Sequence, residues 1–275
     1  MTVLLEIADS PLPAWWLSPN IWTVPNNPEG AKGIPVVGKP CYLWARVSNK
    51  GDERAENATV RFYWANPAIG FDRNTANIVG TASVTLDGGQ TSDVLCLTPW
   101  IPTFVNQGHE CILAEAFQTS SDPLPATPVF NVPTDRHVAQ HNISVLKTTS
   151  GQFHLAFEVH NSARVTRLFN ITVKQGTLAE LEPLIPLLGR DFKLPQKLES
   201  AHSLGFVQSP CPDALFIRQA NKSVDQKLTP FERIGLSLVG TVDAGTAFVH
   251  VTQTVEGQVV GGLSVLIVNT KEKQS

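Results

Sequence analysis

Charge is scarce in this chain. Only 16% of its residues are Asp, Glu, Lys or Arg, against about a quarter in ordinary soluble domains, and the formal net charge is −3. No basic face is available to neutralise a phosphate backbone, so nucleic acid is not an expected partner. Long apolar runs are missing too, and no stretch reaches the ~18 residues of a membrane helix. The opening Met1-Thr-Val-Leu-Leu-Glu-Ile-Ala-Asp9 has no basic start and is broken by Glu6 and Asp9. It does not read as a secretory leader, and the expectation is a cytoplasmic chain as written, or part of an assembly released without a signal peptide.

The signatures of catalysis are also absent. There is no Gly-x-Ser-x-Gly elbow for an activated serine, and no phosphate-cradling glycine motif. Gly261-Gly262 lies inside an apolar strand pattern, where a bulge or a close backbone approach explains it. Four cysteines, Cys41, Cys96, Cys111 and Cys211, show no Cys-x-x-Cys spacing, which argues against structural zinc. Cys41 shares the inward phase of Leu43, Ala45 and Val47. Ile112, Ala114 and Ala116 form the inward set of a later strand and leave Cys111 outside it. Free, largely buried thiols in a reducing compartment are therefore favoured over a Cys41–Cys111 bridge. The chain is expected not to be an enzyme and to need no cofactor.

What is abundant is punctuation and alternation: 20 Pro and 19 Gly among 275 residues, with 42% hydrophobic content. That mixture favours short strands and turns over long helices. Cys41-Tyr-Leu-Trp-Ala-Arg-Val-Ser-Asn49 and Ala58-Thr-Val-Arg-Phe-Tyr-Trp64 alternate with period two and are joined by a polar turn containing Gly51. Further strand signals run over 78–86, 92–97, 110–117 and 137–147, with Asp87-Gly88-Gly89 as a turn. A second series begins with Phe153-His-Leu-Ala-Phe-Glu-Val-His160 and Leu168-Phe-Asn-Ile-Thr-Val-Lys174. It resumes over 228–239 and ends in a hairpin, 247–255 and 258–268, turned by Glu256-Gly257.

The length suits two domains. The fold expected is all-β, two tandem Ig-like antiparallel β-sandwiches. Residues 1–30 are a Pro- and Trp-rich arm with a first strand. Residues 31–148 form the first sandwich and 149–275 the second, which carries an irregular insertion over about 176–227.

Residues 31–148 resemble the CARDB family, the cell-adhesion-related domains of bacteria. The motifs are Val47-Ser-Asn-Lys-Gly51 followed by Ala58-Thr-Val-Arg-Phe-Tyr-Trp64, the Leu86-Asp-Gly-Gly89 turn, and His109-Glu-Cys-Ile-Leu-Ala-Glu115 leading to Ala139-Gln-His-Asn142. The resemblance implies a bacterial, non-catalytic Ig-like sandwich used as a spacer or interaction module. The second half resembles an Ig-like sandwich more weakly.

His137 and His141 stand four apart, but on a strand that spacing separates them by about 13 Å. Even with His109, surface or hydrogen-bonded histidines are favoured over a metal site. Trp44 and Trp64 suit a cross-strand packing pair, and Trp100 a loop closing over the core. Trp15, Trp16 and Trp22 lie in the Pro-bound arm, of which residues 1–20 are expected to be removable with the melting behaviour nearly unchanged. These three tryptophans are the candidates for contact with a partner, either another protein or a second copy of the chain. The alternative is a carbohydrate-binding module in which exposed tryptophans stack on sugar rings.

Overall fold

Burial alternates residue by residue along Cys41–Asn49 in the computed structural model, with Cys41, Leu43, Ala45 and Val47 fully covered. The period-two pattern thus makes a strand with one face on a core. The structure describes residues 1–10, 14–65, 68–69, 71–74, 76–103, 111–208 and 220–270. His109 and Cys211 lie outside the described residues.

In chain order the strands are β1 (Leu5–Glu6), β2 (Ile21–Pro25), β3 (Cys41–Asn49), β4 (Ala55–Ala65), β5 (Ala68–Ile69), β6 (Asn77–Leu86), β7 (Thr91–Leu95), β8 (Cys111–Phe117) and β9 (Val138–His141). They continue with β10 (Ile143–Thr148), β11 (Gln152–His160), β12 (Arg167–Gln175), β13 (His202–Val207), β14 (Ser223–Leu228), β15 (Arg233–Thr241), β16 (Gly245–Val255) and β17 (Gln258–Asn269). Two helical turns, α1 (Leu178–Leu181) and α2 (Ile185–Leu188), interrupt the series. Thr177 and Glu180 close α1 with a reciprocal capping box, and Pro183 and Pro186 keep the turns short. Among the described residues no helix is long and apolar enough to cross a membrane.

The protein is all-β, built as two tandem sandwiches. The first unit comprises Met1–Ala65, Asp72–His141 and Pro183–Lys193. One of its sheets has β3 at its centre, with β1 and β2 on one edge and β7 on the other. The second has the order β6-β4-β8-β9. Leu43, Ala45 and Val47 from one sheet meet Val60, Phe62, Ile112 and Ala114 from the other in a shared core. β3 and β4 therefore do not form a hairpin; the turn around Gly51 carries the chain from one sheet to the facing one.

The N-terminal arm is not dispensable. Val3, Leu5, Ile7 and Ile21 belong to the first core, and β1 pairs with β3 through Leu5↔Asn49 and Glu6↔Ser48. Gly51 makes that docking possible, because a Cβ there would lie 1.9 Å from the Thr2 carbonyl oxygen.

The second unit comprises Asn66–Phe71, Asn142–Glu182 and Leu194–Ser275. Its sheets have the orders β10-β17-β16-β12-β14 and β13-β15-β11-β5. Phe157, Ile171, Leu238, Val249 and Val265 fill the space between them. Most pairs are antiparallel, but β10 lies parallel on β17 from Ile143↔Ser264 to Thr148↔Asn269, and β5 parallel on β11. The hairpin of β16 and β17 turns at Glu256 (φ 51°) and Gly257 (φ 80°), as read from the sequence.

Residues 137–147, read as one closing strand, are two: β9 completes the first unit and β10 opens the second. The break therefore falls after His141 rather than at residue 148. The stretch 176–227, read as irregular, contributes β13 and β14.

Candidate interaction surface

The arm's three tryptophans, the candidates for partner contact, are covered by the rest of the chain. Trp15, Trp16 and Trp22 are 4%, 0% and 5% exposed, so they are packing residues within the chain and not free surface. Trp15 and Trp16 meet edge to face at 5.6 Å. The backbone beyond them is tied down by Ser18 N–H donating to the Gln140 carbonyl at 2.9 Å. Trp22 stacks on Trp44 at 6.1 Å across β2 and β3, with Lys32 Nζ 3.7 Å from its ring centre. Trp64 stacks on Trp100 rather than on Trp44, at 6.4 Å. No exposed aromatic platform for a sugar ring is formed by these six.

His137 and His141 part company. Burial pulls the His137 pKa down, but Asp135, 2.7 Å from Nδ1, and Asp122, 3.1 Å from Nε2, outweigh it and leave the ring raised above its ordinary value. His141 is half-buried, and burial lowers it to about 4, with Nδ1 2.9 Å from the Ser18 carbonyl oxygen. One imidazole is favoured as a cation and the other as neutral. Among the described residues no group of three or more His, Cys, Asp or Glu side chains converges as metal ligands would.

Cys41, Cys96 and Cys111 are free and buried. Burial raises all three thiols, Cys41 to about 12, so none carries the thiolate a nucleophile needs. Cys111 does face away from Ile112 and Ala114, as the phase predicts, yet it is covered. Leu113, Glu115 and Phe117 share its face and are buried too, on a side where Phe130 packs edge to face against Tyr63 of the neighbouring β4.

Three polar clusters carry groups of catalytic type. On the covered face of β8, Glu115 is fully buried. Its Oε1 accepts from Tyr63 at 2.5 Å and Arg61 at 2.9 Å, and its Oε2 accepts from Arg73 at 2.8 Å. Near the N-terminus, Asp122 accepts from Leu5 N–H at 2.7 Å and from Arg136. Asp9 close by is raised to about 8 by burial, with Glu6 and Asp135 adding to the shift. In the second unit, Ser264, His250 and Glu180 stand in the order of nucleophile, base and acid: Ser264 Oγ to His250 Nδ1 is 2.7 Å, and His250 Nε2 to Glu180 is 3.2 Å. Ser264 and His250 have no exposed surface, however, and the same Glu180 oxygen caps α1 through Thr177. These groups hold structure; a substrate has no way to the hydroxyl.

The open feature of the first unit is elsewhere. β6 and β7 leave a groove of about 620 Å³ lined by β6 residues Thr81 to Val84, by Thr59 of β4, and by Asp93, Val94, Leu95 and Leu97. Val94 is buried, Ala82 and Val84 are half-buried, and Leu97 stands 77% exposed at the rim. β6 pairs with β4 along one side, and among the described residues nothing pairs with its other side. Its ten residues, Asn-Ile-Val-Gly-Thr-Ala-Ser-Val-Thr-Leu, include no charge. Of the other edge strands, β7, β10 and β14 carry Asp93, Lys147, and Asp225 with Lys227, the usual guard against stray pairing, whereas the shorter edges β2, β9 and β13 are uncharged like β6. The alternation over 78–86 marks β6 as a strand, but its edge position depends on the whole strand order and leaves no local signal.

No family model matches the chain, and no curated protein matches it. Among solved structures it is similar to red sea bream transglutaminase at 10% identity, covering 92% of this chain and 32% of that one, with a TM-score of 0.25. It is similar to trypsin-activated alpha-2-macroglobulin from Escherichia coli at 13% identity, covering 91% and 18%, with a TM-score of 0.25. CBD12 from CALX1.2 matches at 11% identity over 79% and 76%, with a TM-score of 0.20. The chain spans about a third of the transglutaminase and under a fifth of the macroglobulin. At these scores the likenesses carry no inference about function.

Proposed function

We propose that the chain is a non-catalytic interaction protein whose rigid sandwiches present a docking surface to another protein, and that this surface is the groove beside β6. The observation that carries the reading is an uncharged ten-residue strand edge, unpaired among the described residues, beside a groove of mixed polar and apolar lining. An extended segment laid against β6 satisfies its unpaired backbone groups and continues the sheet of β4 and β8, with alternate side chains entering the groove. The CARDB-like motifs of the same sandwich, from Val47 to Gly51 and from Ala58 to Trp64, support the same role of spacer and interaction module.

The test is a photo-crosslinking residue placed at Leu97, on the groove rim, with Leu168 as an equally exposed control in the second unit. In cells making the full chain, an adduct to a protein from Leu97 but not from Leu168 is the expected result. No adduct, or equal adducts at both positions, overturns the reading.

A further inference from the structure

This inference rests on the docking reading above and names the occupant. We propose that the strand added to β6 is the β6 of a second copy of this chain, antiparallel, about a two-fold axis through Ala82.

Register irregularities bracket the middle of β6. Phe62 pairs with Gly80 and Tyr63 with Ile78, leaving Val79 as an extra residue; at the other end Ala55 pairs with Leu86 and Ala58 with Val84. Between these bulges Gly80-Thr-Ala-Ser-Val84 pairs regularly with β4. Bulges bend an edge and limit how far it can template a neighbour, so the regular stretch is short and ends at both sides.

The centre of that stretch, Thr81-Ala-Ser83, reads alike in both directions by side-chain class. With Ala82 on the axis, Ala82 meets the partner's Ala82, Thr81 meets the partner's Ser83, and Gly80 meets the partner's Val84. An axis on a residue, rather than between two, keeps the core faces of both sheets on one side, so one sheet runs through both copies. Thr81 and Ser83 are exposed on the outer face, and their hydroxyls form the cross-strand pairs this chain already uses twice. Ser48 and Thr91 meet at 2.8 Å across β3 and β7, and Thr172 and Thr252 at 2.8 Å across β12 and β16.

Charge selects the same partner. Near a two-fold axis every side chain faces its own kind, so a charged residue at the axis repels its copy. β6 has none. Such an interface closes on itself and makes a dimer, not a fibre. Its few paired residues place it at the small end of interfaces, so association depends on concentration.

Sedimentation velocity of the full chain over a concentration series tests this. Wild type is expected to pass from monomer to dimer. Thr81→Lys with Ser83→Lys, and separately Thr81→Glu with Ser83→Glu, are each expected to weaken self-association by about tenfold or more, because like charges then face across the axis. Both positions are exposed, so melting should match wild type. Mixing the two variants should restore the dimer in a salt-sensitive form.

If either variant fails to fold, a nitroxide on Thr81→Cys replaces it. The two labelled positions would sit diagonally, with Cβ atoms about 7–8 Å apart, and strong dipolar broadening is expected. A wild type that stays monomeric throughout, variants that dimerise like wild type, or an absence of broadening in a dimer overturns the proposal. In those cases an adduct from Leu97 to a different protein still leaves the docking reading standing, whereas the loss of Leu97 adducts removes both.

Discussion

Glu115 has no exposed surface, and two guanidinium groups and one phenol close on its carboxylate. Removing it strands Arg61 and Arg73 beside each other with no counter-charge, a loss of about 3–5 kcal/mol for a buried pair broken on one side. Glu115→Ala should therefore lower the chemical-denaturation midpoint sharply. Asp93→Ala, which breaks the exposed pair with Arg46, should cost under about 1 kcal/mol. Asp9 makes a second prediction. Its pKa is raised to about 8 from an ordinary 3.8, chiefly by burial, so the folded chain holds a proton that the unfolded chain releases. Stability from this group is complete below the ordinary carboxylate range and is lost as pH rises toward about 8. The raised His137 acts in the same direction. Wild type should lose melting temperature as pH rises from about 4 toward about 8, with the lowered His141 offsetting part of the loss below pH 6.5, and Asp9→Asn should flatten that slope; an unchanged slope would remove Asp9 from the account. Neither group was legible in the sequence. Glu115 sits in an alternating run whose outer face reads as solvent, and only the tertiary fold covers it.

Among elements, β1 shows how a two-residue strand can matter. It is held by Leu5 and Glu6 against β3, by Asp122 on the Leu5 N–H, and by the close passage of Gly51 under Thr2. Gly51→Ala drives a methyl into the Thr2 carbonyl, and overpacking of this kind costs about 1–3 kcal/mol. Backbone amides of Leu4 and Leu5 should exchange faster in that variant than in wild type, while those of β16 and β17 stay protected. Alternation made β3, β4, β11, β12 and β16 readable, because each has one face on a core. The hairpin at Glu256-Gly257 was readable because positive φ at both positions suits few residues. β13 escaped notice since its burial runs as a block, exposed at His202 and Ser203 and buried from Leu204 to Val207. β14 escaped because it alternates with polar side chains, with Val224 only half-buried. β1 was too short for any period to show, which is why the arm read as dispensable.

For the whole molecule, chain order and unit membership diverge. Pro183–Lys193 belongs to the first unit although it follows most of the first strands of the second. It brings Leu184, Leu187 and Leu188, all buried, and a Cβ on Gly189 would lie 3.5 Å from Gly33 Cα. Each leucine is worth about 1.5–3 kcal/mol when fully covered. A chain ending at His141 should therefore melt well below the full chain and bind a hydrophobic dye. A fragment as stable as the first unit of the intact protein would show that the returning segment is unimportant. No local sequence signal marks such a return, since Leu-Ile-Pro-Leu-Leu suits a surface turn as well. The parallel seam of β10 on β17 has a mechanical corollary. Its strands enter and leave the second unit at opposite ends of the same six-residue register. A pull between Asn142 and Asn269 would load all of those rungs together, sideways, instead of unzipping them one at a time.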